Sequence, residues 1–258
     1  MQKRQRPYIL EVCADSTESA IAAYRGGADR LELCGNLMIG GTTPSVSLFD
    51  EIKKVCPQIR IHVLIRPRFG DFLYTEHEFS IIKQEVGLFA ERGADGIVVG
   101  CLQKDGKLDL EKMKKLRECA KDCHMTLHRA FDVCCDPLEA LDQAKSIGIQ
   151  TILTSGQRKT CEEGRQLIEE LADKAAGEID IMAGSGVDAQ VIQRMLQSQS
   201  TIRSFHMSGK KIVESGMEYR KKGVPMGIEG FDEFQIFRTD ELQVQRARRI
   251  LDQAEKEL

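Results

Sequence analysis

The feature that most constrains this chain is a regular alternation of short apolar segments with longer segments of helical periodicity. Such alternation is typical of βα units built around a parallel sheet. Eight repeats within 258 residues favour a closed (β/α)8 barrel over an open doubly wound sheet, which usually has fewer repeats at this length. The predicted strands are 8–13, 30–34, 60–66, 96–99, 125–128, 151–154, 179–182 and 202–206.

The segments between these strands predict helices, several of them ended by glycine. One domain over residues 1–258 follows from this pattern. Residues 207–240 are the irregular stretch: they are rich in glycine, contain Phe231, Phe234 and Phe237, and predict a long loop with a functional or interface role. The predicted helices are 17–25, 46–55, 77–92, 110–121, 137–147, 161–175, 188–196 and 241–257.

Charge and cysteine content narrow the class of protein. A net charge of -3 gives no bias toward nucleic acid or anionic membranes. The basic start leads into a strand rather than the apolar core of a signal peptide, and no run reaches transmembrane length, so we expect a cytoplasmic protein. Nine cysteines, an odd number, are then expected to be mostly free thiols.

The phrase Glu-x-Cys occurs twice, at 11–13 and at 32–34, each time at the end of a predicted strand. Residues two apart share one face of a strand, so matched neighbouring strands would bring two carboxylates and two thiols together. Strands lie about 4.8 Å apart, so Cys13 and Cys34 could hold one ion, and soft thiolates favour Cu(I) over zinc. Buried cysteines are also common core residues, and spacing alone favours that interpretation.

Ionisable residues gather at the predicted carboxyl ends of other strands, where barrel enzymes place their chemistry. The phase of strand three turns His62 and Arg66 toward the barrel axis. Interior charges can simply form satisfied ion pairs, which is the favoured interpretation for His62. The candidates for proton transfer are Glu11, Glu32, His128 and Asp132.

Glycine-rich loops follow predicted strands seven and eight, where many barrels hold phosphate with backbone amides. Such loops also need glycine merely to turn, so both interpretations stay open. An aldolase-type Schiff base is not expected, because no lysine falls at the carboxyl end of a strand. The candidate anion-binding residues are Arg66, Arg68, Ser155, Gly184, Ser185, Gly186, Ser208 and Gly209.

Several longer phrases occur in order along essentially the whole chain: LEVC (10–13), GADRLELC (27–34), GGTTPS (40–45), IRPR (65–68), GIV (96–98), HRAFD (128–132), LTSG (153–156) and AGSG (183–186). Together these phrases resemble the CutC copper homeostasis protein family. The resemblance implies a cytoplasmic (β/α)8 barrel, a homodimer or homotetramer, linked to copper handling, with Cu(I) bound at the cysteines that match Cys13 and Cys34. Two alternatives stay open: a barrel enzyme acting on a small anionic or phosphorylated, sugar-like substrate, and a scaffold whose 231–237 segment recruits a partner.

Overall fold

Eight parallel strands form a closed barrel, in which each strand pairs with the next along the chain and the first pairs with the last. This computed structural model describes residues 6–198, 201–221, 223–224 and 232–257. The predicted (β/α)8 fold is confirmed. The strands are β1 Ile9–Ala14, β2 Arg30–Leu33, β3 Arg60–Leu64, β4 Gly96–Val99, β5 His124–Leu127, β6 Thr151–Thr154, β7 Asp180–Ala183 and β8 Ser204–Met207.

Except for the helix that begins at Arg165, the α-helices begin where a polar side chain caps the first turn. Ser16, Ser45 and Asp188 each accept a hydrogen bond from an amide of the helix that follows, which satisfies a donor that has no partner within the helix. Most predicted bounds are correct to within two residues. The helices are α1 Thr17–Gly26, α2 Val46–Val55, α3 Glu76–Glu91, α4 Leu110–Ala120, α5 Pro137–Ser146, α6 Arg165–Ala175, α7 Ala189–Gln197 and α8 Glu241–Ala254.

Helix α6 is the main departure, because it begins at Arg165 rather than at residue 161. Gly164 packs directly against the loop that follows β6, and a Cβ on Gly164 would lie 1.9 Å from the Ser155 carbonyl oxygen. Residues 161–164 form a turn that leads into the helix. None of the helices in the described ranges is long and apolar enough to span a membrane.

The outward and inward faces of the barrel strands bury different kinds of side chain. In β1 and β2 the outward side chains, such as Leu10, Val12 and Leu31, are fully buried against the helices. Burial of each such side chain contributes about 1.5–3 kcal/mol. The inward side chains of the same strands include Glu11 and Arg30, which are also buried. The barrel is therefore held mainly by its outer apolar layer, and polar groups are left inside.

Residues 207–240, predicted as a loop, contain a small antiparallel sheet that was not predicted. Strands β9 Lys210–Glu214 and β10 Gln235–Thr239 pair with each other outside the barrel. The Thr239 amide donates to the Ser19 hydroxyl of α1 at 3.1 Å, which attaches the sheet to the barrel. Every β9 residue is exposed. Phe231, one of the aromatic residues of the predicted loop, lies outside the described residues.

Candidate functional site

Strands β1 and β2 lie side by side, as predicted, but their Glu-x-Cys phrases are staggered. Glu11 lies opposite Arg30, and Cys13 lies opposite Glu32. The phase of the two strands matches as expected, but the register is shifted by two residues, because closing a barrel tilts the strands. The shift is an even number of residues, so both phrases keep the same face. Cys34 therefore lies two residues beyond the position opposite Cys13, closer to the rim.

Glu11 is the centre of a buried ion-pair network. The Arg30 Nε donates to one carboxylate oxygen at 2.6 Å, and the His206 Nδ1 lies 2.7 Å from the other. Burial by itself raises the pKa of Glu11, but the Arg30 guanidinium and the His206 hydrogen bond outweigh burial and hold the pKa well below its usual value. Glu11 is therefore ionised and bonded to two cationic neighbours. It is better suited to hold Arg30 and His206 in place than to accept a proton.

His206 joins Glu11 to the second carboxylate of the site. Its Nε2 lies 3.7 Å from a Glu32 carboxylate oxygen, and the ring is close enough to Cys13 for the two groups to interact. Burial opposes the charged form of His206, but the negative charge of Glu32 and the hydrogen bond to Glu11 raise its pKa well above the ordinary value. The ring is an imidazolium at neutral pH.

Glu32 is the titrating member of this cluster. Burial raises its pKa to about 7, with His206 opposing the rise and the Glu11 charge adding to it. Its side chain is only slightly exposed at the open side of the network. A carboxyl group that gains and loses a proton near neutrality is suited to general acid–base chemistry. Of the four predicted proton-transfer residues, Glu32 fits that role best.

We expect wild type to lose stability relative to Glu32→Gln as pH rises from 5 to 8. The carboxyl pKa is higher in the folded protein than in the unfolded chain, so its stabilising contribution is complete below the unfolded value and is lost as pH rises through about 7. The change should be on the order of a few kcal/mol. Urea unfolding of both proteins across this range measures it, and parallel pH profiles would contradict the assignment.

Both candidate thiols are buried, at 4% exposure for Cys13 and 1% for Cys34. The 37–41 loop covers Cys34: a Cβ on Gly41 would lie 3.4 Å from the Cys34 Cβ and 2.7 Å from a Leu64 methyl group. Burial, followed by the nearby Cys13, raises the pKa of the Cys34 thiol well above its ordinary value. Cys34 is therefore protonated at neutral pH, and a metal ion would have to displace that proton.

Asp132, Arg68 and Ser155 reach the rim, but their polar atoms bond to the protein itself. Asp132 accepts from the Ser155 amide at 2.9 Å and from the Arg129 Nε at 2.7 Å. The Arg68 Nε donates to Glu78 at 2.6 Å. The Ser155 hydroxyl lies 3.0 Å from the Asp132 carboxylate. These contacts fix the loops after β3, β5 and β6, and they favour a structural role over proton transfer or anion binding.

In the glycine loops after β7 and β8, several polar groups likewise bond to other parts of the protein. The Gly184 amide donates to a carbonyl of β6 at 2.9 Å, and the Ser185 hydroxyl donates to a carbonyl of the loop before α6 at 2.8 Å. The Ser208 and Gly209 carbonyls accept from β10 and from the cap of α8. Gly186 is exposed in its turn. The chain after β8 enters β9 rather than a helix, so these contacts favour glycine as a turn former.

Arg66 and His128 follow β3 and β5, which are the two strands on either side of β4. Phe72 contacts both, with its ring centroid 5.0 Å from the Arg66 Cζ and 4.8 Å from the centroid of the His128 ring. A Cβ on Gly100, which follows β4, would lie 2.6 Å from the His128 Cε1. Glycine at this position leaves room for the ring. These residues form a second polar group at the rim, beside the cluster around Glu11.

Two members of the site, Arg30 and His206, were not among the candidate residues chosen from the sequence, although His206 was predicted to end a strand at the barrel mouth. Arg30 starts a predicted strand and shares its face with Glu32, so strand phase alone could have identified it as an interior cation. His206 ends a predicted strand, and its contact with Glu11 depends on β1 pairing with β8. That closing contact joins residues 195 positions apart, and local sequence carries no signal for it.

The model of the CutC family matches residues 8–211 of this chain. The chain belongs to the CutC family. The family protein CutC of Bacteroides fragilis (strain YCH46) is 45% identical over 220 residues, covering 85% of this chain and 87% of the relative. A human relative, named copper homeostasis protein cutC homolog, is 42% identical over 220 residues and covers 85% of this chain and 80% of its own.

A crystal structure of CutC from Streptococcus agalactiae superposes with a TM-score of 0.74 at 29% identity, covering 78% of this chain and 98% of that one. An aldolase structure at 15% identity and a TM-score of 0.56 shares the fold alone. The segment matched by the CutC family model holds all eight barrel strands and every candidate site residue. Strand β10 and helix α8 lie beyond it.

Proposed function

We propose that this chain is a cytoplasmic copper homeostasis protein that binds Cu(I) through Cys13 and Cys34. The name of the human relative supports the general role. The observation that carries the site is the position of the two thiols: Cys13 lies in β1, Cys34 directly follows the adjacent strand β2, and Cys13 is close enough to raise the pKa of Cys34. Two soft sulfur ligands suit Cu(I) better than a harder ion. Homo-oligomeric assembly remains an expectation from the family resemblance.

Charge balance supports the same site. Cu(I) held by two thiolates carries one net negative charge, and a buried charge needs a partner. His206 supplies that partner, because it is close enough to Cys13 for the two groups to interact and its burial penalty is outweighed by negative neighbours that raise its pKa. The imidazolium can stay in place when the thiols lose their protons. Two cysteines without a cationic neighbour would leave the negative charge of the copper site uncompensated.

Titration with Cu(I) under anaerobic conditions at several pH values tests the proposal. We expect one tightly bound ion per chain and an affinity that rises by up to about tenfold per pH unit for each proton released. Sulfur ligands should dominate the copper X-ray absorption spectrum. The control is Cys119→Ser/Cys135→Ser, which removes the two least buried thiols and should leave the curve unchanged. An affinity that does not depend on pH, or a curve lost in the control, would contradict the site.

A second candidate is an enzyme acting on a small anionic substrate. The observation that favours it is Glu32, whose pKa burial raises to about 7, next to the charged His206. Two bound thiolates require no such titrating carboxyl group. In this function Glu32 exchanges a proton with the substrate, while the Arg66 side of the rim holds the anionic group.

A further inference from the structure

Arg66 is a buried cation with no acidic partner among the described residues. Its side chain donates to the carbonyl oxygens of Gly40 and Gly41, each at 3.2 Å, and of Gly70 at 2.7 Å. Its Nε is fully buried and has no hydrogen-bond partner in the described chain. The residue is only 9% exposed. Buried charges are ordinarily paired, so this guanidinium retains both an uncompensated charge and an unused donor.

His128 presents a second unused donor nearby. Its Nδ1 accepts a hydrogen bond from the Ala130 amide at 3.1 Å, which places the proton of the neutral ring on Nε2. Burial and the Arg66 charge lower the pKa of His128 to about 3, so the ring is neutral at physiological pH. The buried Nε2 has no partner within the described residues. The His128 ring therefore carries a neutral N–H without a partner in the described chain, and the same ring packs on Phe72, which also contacts Arg66.

The two donors share one apolar wall. Phe72 packs against both side chains at the distances given above, and the Arg66 charge reaches His128 strongly enough to lower its pKa. Tyr74 is close enough to Arg66 for the charge to act on its phenol, and its buried hydroxyl also lacks a partner in the described part of the chain. Buried polar groups are normally hydrogen-bonded, and three groups without a partner in the described ranges, two of them against the Phe72 ring, favour an acceptor supplied by a ligand.

We propose that Arg66 and His128 bind the anionic oxygens of a small ligand that carries a carboxylate or phosphate group. One charged and one neutral N–H donor match such a group, and the Phe72 ring shields it from water. The proposal deepens the enzymatic candidate, on which it rests, by identifying the group that anchors the substrate. Binding can be measured without any reaction, so failure of the site and absence of catalysis are distinguishable.

Thermal unfolding with inorganic phosphate or with acetate, at ionic strength matched by chloride, tests this site. At an anion concentration of about ten times Kd we expect the wild-type Tm to rise by about 3 °C. Arg66→Gln should abolish the rise. Arg92→Gln is the matched control: it changes net charge equally, but Arg92 is exposed and pairs with Asp50, so the rise should persist. A response to one anion only would identify the ligand class.

His128→Phe provides an independent variant in case Arg66→Gln does not fold. It keeps an aromatic ring against Phe72 but removes the Nε2 donor, and it should weaken binding of the effective anion by about tenfold. Two outcomes would overturn the proposal. One is a wild-type Tm that neither anion raises above the chloride control. The other is an equal rise in wild type and in whichever of Arg66→Gln and His128→Phe folds, which would mean that the anions act elsewhere.

Discussion

Glu11→Gln is expected to lower the free energy of unfolding by about 3–5 kcal/mol, because it leaves buried cations opposite a neutral amide. The Arg30 side chain is 5% exposed and donates to Glu11 at 2.6 Å, while His206 bonds to the other oxygen at 2.7 Å. The Arg30 guanidinium has almost no access to solvent that could replace the lost carboxylate charge. Urea unfolding at pH 7, followed by circular dichroism, measures the change.

Asp50→Asn is the matched control. It also removes one carboxylate from an arginine pair, but the Asp50 and Arg92 side chains are 51% and 41% exposed. Solvent screens such a pair, so the loss should stay within about 1 kcal/mol. Adding Arg30→Met to Glu11→Gln should recover part of the stability, because it removes the unpaired charge as well. Similar small losses for Glu11→Gln and Asp50→Asn would show that the buried network is not a main source of stability.

The barrel could be predicted because its signal is local and repeated. Each βα unit carries its own apolar strand, polar cap and helix, and eight such units in one chain of this length leave few alternatives. The inward direction of Glu11, Glu32 and His62 was also predictable, since strand phase depends only on parity. The stagger that sets Cys13 opposite Glu32 was not, because register belongs to the closed barrel as a whole.

The site was harder to predict than the fold, because sequence shows which polar groups exist and not which are already bonded. Asp132 and Ser155 have suitable chemistry, yet each is bonded to the other. Arg66 looked equivalent to Arg68 in sequence, but Arg68 pairs with Glu78 while Arg66 has no such partner in the described residues. The β9–β10 sheet was missed for a related reason: its strands are 20 residues apart, and their pairing is not local.

Cys13→Ser/Cys34→Ser is expected to weaken Cu(I) binding by about 100-fold or more. Loss of a residue that only hydrogen-bonds to a metal ligand typically costs about 10–100-fold in metal affinity, and this variant removes both proposed ligands. A serine hydroxyl is also a harder donor than a thiolate and does not ionise near neutral pH. Anaerobic competition against a Cu(I) chelator measures the loss, with Cys119→Ser/Cys135→Ser as the control that keeps wild-type affinity.

Stability must be separated from binding in this experiment. Cys34 packs with Leu64 and Val98 in a buried apolar group, so a hydroxyl at this position should itself cost about 1–3 kcal/mol. Circular dichroism of the metal-free variant shows whether the barrel is retained. The single variant Cys13→Ser, at a position beside the His206 ring rather than within the Cys34 apolar group, should fold well and still lose most of the affinity. Wild-type Cu(I) affinity in a folded Cys13→Ser protein would rule out the two-thiol site, since one remaining sulfur cannot reproduce paired ligation.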